Sequence, residues 1–378
     1  MPVFDNAKIV LPGSVVDGHV AIENGVIRAI GEGRTGTADE DFNGDYLIPG
    51  LVELHTDHLE THVSPRPGVR WDSEAAIQAH DAQIAASGIT TVLDAMRVGL
   101  EADGSLTSQD SRDLADVINA AQDDGRLRAE HRFHLRVEVS DEYAQPGFAL
   151  FEDLPGVAIV SLMDHTPGQR QFRSLDAYRN YFQRKSGMSD AAFEDFQADR
   201  RARAARWSDE NRRAIAVGAQ ARGVVIASHD DATAAHVAEA VRDGVTIAEF
   251  PTTSEAAHAS RAAGMRVLMG GPNLVRGGSH SGNVSAGALA DQNALDIVSS
   301  DYVPFSMLQA AFKLSEREGW PLPAAIATVT ANPARAINLA DRGAIAEGLR
   351  ADLVRVRRAG PGAVPVVRGV WRGGVRVA

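Results

Sequence analysis

A chain of 378 residues that is 44% hydrophobic and 23% charged is composed like a soluble globular protein, with length for one large domain or two smaller ones. Its net charge of −12 argues against a general nucleic-acid binder, and the absence of any cysteine excludes disulfides, thiolate metal ligands and a cysteine nucleophile together. No apolar run approaches the roughly 20 residues that span a bilayer, and MPVFDNAKIV lacks the layout of a secretory signal, so the expectation is a cytoplasmic enzyme with neither nucleic acid nor membrane as partner.

Residues 1–46 read as short alternating strands separated by Gly and Asn-Gly turns. The next stretch, LIPGLVELHTDHLETHV, opens on Leu47, Ile48, Leu51, Val52 and Leu54, an apolar run of the kind that parallel strands covered on both faces carry. It then breaks into His55, Asp57, His58, Glu60 and His62. Charge at the end of a buried strand is costly unless paired or bound to a metal; a His-rich solvated loop is the plainer alternative. Counting a first strand at 47–55, further strands are expected at 89–95, 133–139, 157–164, 224–228, 245–250, 266–270 and 295–300, which makes eight. Amphipathic stretches such as SEAAIQAHDAQIAAS and DATAAHVAEAVRDG lie between them. This alternation predicts an α/β chain with a (β/α)₈ barrel over residues 47–342, and no G-x-G-x-x-G supports a doubly wound sheet instead. Residues 174–222 are polar and read as a long helix, an insertion with room for a lid or a homo-oligomer contact, or simply a solvated face. Residues 343–378 return to short alternating strands, so both chain ends are expected to meet in a small β-sandwich beside the barrel.

Barrel enzymes carry their chemistry at the C-terminal ends of the strands. Here those ends hold His55-Thr56-Asp57, Glu138, Asp164-His165, His229-Asp230-Asp231 and Asp301. On extended chain the i, i+2 spacing of His55 and Asp57 puts both side chains on one face. One such histidine would be an ordinary core residue; five strands ending this way point to metal binding.

The layout resembles the amidohydrolase superfamily, in which the first strand supplies a paired-ligand motif, a middle strand a bridging carboxylate, two later strands histidines and the last an aspartate. The stretch from Gly343 to Val354, GAIAEGLRADLV, is similar to that superfamily as well. The resemblance implies His55, Asp57, Glu138, His165, His229 and Asp301 as metal ligands. Two features depart from it. The first motif is His-x-Asp where His-x-His is usual, and the histidines follow strands four and five rather than five and six. Either a strand is hidden or the carboxylate comes early. Longer strings, among them PRPGVRW, ASGITTVLDA, SLMDHTPGQRQF, ASHDDAT, AEFPTT and VLMGGPNLVRGGSHSGN, resemble a branch of the superfamily, the triphosphate diphosphatases of the carbon–phosphorus lyase pathway. That resemblance implies a small anionic substrate, a ribosyl phosphonate triphosphate, cleaved to release pyrophosphate.

Charge bears on the number of ions. Asp57, Glu138 and Asp301 are anionic, so two divalent ions leave the site net positive and one leaves it net negative; a polyphosphate site calls for two. An aspartate at position 57 hardens the ligand set and widens the choice from Zn²⁺ to Mn²⁺ and Mg²⁺. Asp301 is the expected general base. Three donor-rich loops are expected to hold the anion, through Arg66, through Arg170 and Arg173, and through Arg276, Ser279, His280 and Asn283. His58 and His62 stay unassigned, between support for the ligands and plain loop residues. A cyclic-amide hydrolase or deaminase on the same fold, and a non-catalytic scaffold subunit, are the rival readings.

Overall fold

A computed structural model describes residues 2–36, 38–99, 106–168, 170–172, 179, 189–279 and 282–378; the expected anion-binding residues Arg173 and His280 lie outside them. At the N-terminus β1 (Val3–Val10), β2 (Val15–Glu23) and β3 (Val26–Glu32) form an antiparallel meander, and β4 (Glu40–Asp41) and β5 (Tyr46–Pro49) run parallel to β1. The turn from β2 to β3 is Asn24-Gly25, both at positive φ (51° and 81°), the two-residue geometry that this dipeptide favours.

The apolar run expected to be one strand is two. Tyr46–Pro49 belongs to the terminal sheet, and after Gly50 the barrel begins with β6 (Leu51–Thr56). Glycine is required at this crossing, because a Cβ on Gly50 would stand 2.2 Å from Thr90 Oγ1 and 3.0 Å from Asp352 Cβ.

Seven more parallel strands follow β6 in chain order: β7 (Ile89–Val98), β8 (Glu130–Glu138), β9 (Val157–Met163), β10 (Val225–His229), β11 (Ile247–Glu249), β12 (Arg266–Gly270) and β13 (Ile297–Ser299). Among the described residues no further barrel strand precedes Glu138, so this carboxylate, at the end of the third, does come early. Val52, Leu54, Leu93, Ile159, Ala227, Ile247, Leu268 and Ile297 fill the interior, while the outward residues pack under the helices. The seam between β13 and β6 closes at its upper end: Asp57 N donates to Asp301 O and Asp301 N to His55 O, each at 3.0 Å. Lower down, Val52 N and Val298 N donate to the carbonyls of Val329 and Thr328, so these two residues bridge the strands.

The polar stretch after β9 contains a 32-residue helix, Asp190–Ala221, with Ser189 capping the N–H of Ala192. Its second half buries Asn211, Arg212, Ile215, Ala216 and Ala219. This is the ordinary helix between β9 and β10, lengthened at its start. Asn211 Nδ2 donates to the carbonyls of Val139 and Asp141, at 2.9 and 2.8 Å, and so fixes the loop beyond Glu138.

The C-terminal strands β14 (Leu353–Arg357), β15 (Val366–Arg372) and β16 (Val375–Arg376) join β5 to complete a mixed sheet in the order β16-β15-β14-β5-β1-β2-β3, with β4 beside β1. Its core is aromatic: Phe4, Phe42 and Trp371 have ring centroids 4.7–5.8 Å apart. The sheet is locked to the barrel by charge. Glu130, at the start of β8, accepts from Arg342 Nη1 at 2.7 Å and from Arg350. Burial works against this carboxylate, but the two guanidinium groups pull its pKa down to about 2. A lowered folded-state pKa stabilises the fold above the ordinary glutamate range, and that contribution is lost as pH falls towards 2. Glu130→Gln is therefore expected to cost about 2–3 kcal/mol at pH 7, with the deficit shrinking as pH drops from about 4.5 to 2. Denaturant unfolding of both proteins at pH 7 and pH 3 checks this.

Candidate metal centre

The upper, C-terminal end of the barrel gathers three histidines that each turn Nδ1 to a buried carboxylate. His55 is the penultimate residue of β6, with its Nδ1 3.2 Å from Glu249 Oε1 and its Nε2 3.9 Å from Asp57 Oδ1. His229 ends β10, with Nδ1 3.3 Å from Glu249 Oε2 and Nε2 3.4 Å from Asp230 Oδ2. His165 follows β9, with Nδ1 2.6 Å from Glu138 Oε2 and Nε2 4.0 Å from Asp230 Oδ2. In each ring a buried carboxylate accepts the Nδ1 proton, so the neutral tautomer turns its Nε2 lone pair towards acidic oxygens. A carboxylate behind and a lone pair in front is the arrangement that metal-ligating histidines adopt.

The ligand atoms fall into two adjoining groups, His55 with Asp57 and Asp301, and His165 with His229 and Asp230, each spanning no more than 4.8 Å. The rings of His55 and His229 stack at 5.6 Å, which joins them. Asp57 reaches the cleft differently from the expectation: at φ −90° and ψ 5° it has left extended backbone and stands at the start of helix α1 (His58–Val63). Asp230 and Asp301 sit at φ 58° and 57°, a left-handed geometry that costs on the order of 1–3 kcal/mol in a non-glycine residue and collects at functional sites.

The electrostatics suit cations. Burial opposes ionisation of Glu249, but His134, His55 and His229 hold its pKa well below the usual range. Burial likewise works against Asp57, and Arg136, with Nη1 2.5 Å from Asp57 Oδ1, outweighs it and keeps the carboxylate charged. Burial raises the pKa of Asp301, helped by the neighbouring Asp57 charge. Asp230 Oδ2 is buried with no hydrogen-bond partner among the described residues, and a bare carboxylate oxygen beside two imidazole lone pairs fits a divalent ion.

The sequence profile described as "Amidohydrolase family" matches residues 188–378. The alpha-D-ribose 1-methylphosphonate 5-triphosphate diphosphatase of Escherichia coli (strain K12) is 48% identical over 378 residues, covering 99% of this chain and 100% of the relative. The chain belongs to the amidohydrolase family. Among solved structures, a mutant of the N-acetyl-D-glucosamine-6-phosphate deacetylase of Mycobacterium smegmatis matches with a TM-score of 0.66 at 15% identity, covering 100% of this chain and 99% of that one. The 5-methylcytosine deaminase of Klebsiella pneumoniae matches at 0.64 and 15%, covering 100% and 97%. At these identities the two share the fold. Amidohydrolases are metal-dependent, and the His, Asp and Glu groups above are where this one can hold metal.

Five of the six ligands expected from the sequence, His55, Asp57, His165, His229 and Asp301, meet in the two groups. Glu138 does not join either: it accepts from Nδ1 and the backbone N–H of His165 and so stands behind that ring. Asp230, named at the end of the fifth strand but not counted there as a ligand, joins His165 and His229, and Glu249, not singled out in the sequence, stands behind His55 and His229. Arg170 corrects another expectation. It is 3% exposed, and its guanidinium pairs with Asp231 and, at 2.6 Å, with Glu239. It braces the wall between loops through its two Nη groups, and its Nε is buried with no hydrogen-bond partner among the described residues. Arg66 and Arg276 are exposed and make no ion pair with any described residue. Ser279 and Asn283 are half-buried on the loop after helix Gly271–Arg276, which is tied down by Ala286 N donating to Asn273 Oδ1 at 2.9 Å and Val284 N to Thr252 O at 3.0 Å.

Because Glu249 holds two ligands at once, Glu249→Gln should weaken metal binding about 10–100-fold while leaving the fold intact. Competition of the metal-stripped protein against a chromophoric chelator reads the affinity; an unchanged value would remove Glu249 from the support of His55 and His229.

Proposed function

We propose that this amidohydrolase cleaves α-D-ribose 1-methylphosphonate 5-triphosphate to pyrophosphate and 5-phosphoribosyl 1-methylphosphonate, the activity that the name of the E. coli relative describes. The observation that carries the reading is 48% identity along essentially the whole of both chains, joined to a barrel mouth whose acid and imidazole groups suit cations. The substrate is a charged sugar triphosphate that does not cross membranes unaided, so we place the reaction in the cytoplasm.

His55, Asp57, His165, His229, Asp230 and Asp301 would hold the metal, with Glu249 and Glu138 fixing the imidazoles. Asp230 and Glu249 add two carboxylates to the three counted from the sequence, and Arg136 returns one positive charge. The surplus of negative charge favours two divalent ions over one, with Zn²⁺, Mn²⁺ and Mg²⁺ all compatible with mixed nitrogen and oxygen ligands. When bound, such ions acidify water and offset the charge on phosphoryl oxygens.

The chain's own groups supply the rest. Asp301, just beyond the last barrel strand, accepts the proton of the water that attacks the α-phosphorus. The bond from that phosphorus to the α–β bridging oxygen breaks, and pyrophosphate leaves with the electron pair. Arg276, which ends the helix after β12, and Ser279 and Asn283 on the loop beyond it, together with Arg66, bind the departing phosphates; His280 and Arg173 are further candidates from the sequence. A cyclic amide or a nucleobase carries no polyanionic charge for Arg66 and Arg276 to meet, which weighs against the hydantoinase- or deaminase-type reading.

Phosphorus NMR of the reaction in ¹⁸O-water, run on wild type and on Asp301→Asn, tests this. Label in the ribosyl monophosphate and none in pyrophosphate is expected, with kcat lower by about 10²–10⁴ in the variant, the usual loss of a general base. Release of orthophosphate, or label in pyrophosphate, would contradict the bond assignment.

A further inference from the structure

Immediately beyond Asp57 the chain builds a second histidine cluster on the outer side of the barrel wall. Leu93 packs inside the barrel, so its neighbour Asp94 on β7 points outward, to helix α2 (Ser73–Ala86). His58 and His62 stand one turn apart on α1, with their Nε2 atoms 3.2 Å apart. The ring of His80, on α2, lies 5.8 Å from each of theirs, and one ring nitrogen from each of the three falls within 4.8 Å of the others.

The hydrogen bonds decide which nitrogen of His80 is available. Its Nε2 lies 2.8 Å from Asp94 Oδ1 and therefore carries the proton. Its Nδ1 is left with a bare lone pair, and the residue is fully buried with no partner for that atom among the described residues. The network behind is complete: Asp94 Oδ2 takes Nδ1 of His131 at 2.7 Å, and Asp81 takes His131 Nε2 at 3.3 Å and the backbone N–H groups of Arg128 and Ala129. The orphaned nitrogen is thus the front of an otherwise satisfied assembly.

We propose that His58, His62 and His80 form a second metal site, separate from the barrel-mouth centre, that takes one Zn²⁺ or an ion of like preference. Four features converge on this. Three imidazoles without a carboxylate suit zinc, copper or nickel and not magnesium or calcium. Two nitrogens on one tetrahedral zinc, at ~2.0–2.1 Å from it, are ~3.3 Å apart, close to the spacing of His58 and His62. An i, i+4 pair is the spacing at which one helix offers two ligands side by side. Asp94 stands behind His80 as Glu249 stands behind His55 and His229, fixing the tautomer. His58 and His62 are only half-buried, which leaves a path for the ion and room for a solvent ligand. An ion here would fasten α1, whose first residue follows Asp57. The alternative is a plain N–H···N bond between His58 and His62, which leaves His80 Nδ1 bare and holds no ion. The proposal does not depend on the identity of the substrate.

The full chain, stripped with chelator, reloaded with Zn²⁺ alone and desalted, is assayed for zinc per chain by mass spectrometry. Wild type, His62→Ala, His229→Ala and the double variant are compared, with circular dichroism as the fold control. His62→Ala should hold one zinc fewer than wild type, and the double variant one fewer than His229→Ala. His58→Gln gives the same reading should His62→Ala fail to fold. Equal zinc content with and without His62 would overturn the site. So would a loss seen only when His229 is intact, because it would then belong to the barrel-mouth centre.

Discussion

Glu249 ends the sixth barrel strand fully buried, and its two oxygens accept from Nδ1 of His55 and Nδ1 of His229. The barrel mouth depends on this one carboxylate. An isolated charge at that depth costs several kcal/mol, and Glu249 is tolerable only because imidazoles from β6, β8 and β10 surround it and the Ser161 hydroxyl on β9 donates to it. Five strands must therefore hold their register to within a hydrogen-bond length. The same contacts set the tautomers, so the interaction that neutralises the acid also aims two Nε2 lone pairs at Asp57, Asp301 and Asp230.

The strands use both faces for charge. On β8 the inward residues are His134, which bonds to Leu54 O and Ser161, then Arg136, which pairs with Asp57, and Glu138, which holds His165. Its outward His131 joins Asp94 and Asp81 beneath α2. An apolar layer lies below these groups inside the barrel and another outside it. In low-dielectric surroundings each acid needs a partner in contact, so the polar groups occur as closed clusters. Among the buried atoms left bare in the described residues, Asp230 Oδ2 and His80 Nδ1 stand at the places where metal is inferred.

Much of this is legible in the sequence, for physical reasons. The eight strands announce themselves as apolar runs, and the ligands as charge at the ends of those runs, where only pairing or metal makes charge affordable. Gly50 is harder to read, because nothing local tells a strand that its first half belongs to another sheet. Glu249 does leave a signal: VTIAEF is an apolar strand with one acid inside it, which must be paired. FHLRVEV carries another, since His134, Arg136 and Glu138 at alternate positions share the inward face. Arg170 looks like an anion donor because its partners Asp231 and Glu239 come from more than sixty residues away. Only the fold brings them together.

The claim that bears the most weight is that the two groups at the barrel mouth are one metal centre. Anomalous scattering from crystals of the protein loaded with Zn²⁺, recorded on both sides of the zinc absorption edge, tests it directly. The account predicts peaks within ~2.0–2.3 Å of the Nε2 atoms of His55 and His229 and of oxygens from Asp57, Asp230 or Asp301. Active protein with no peak at those nitrogens would contradict it.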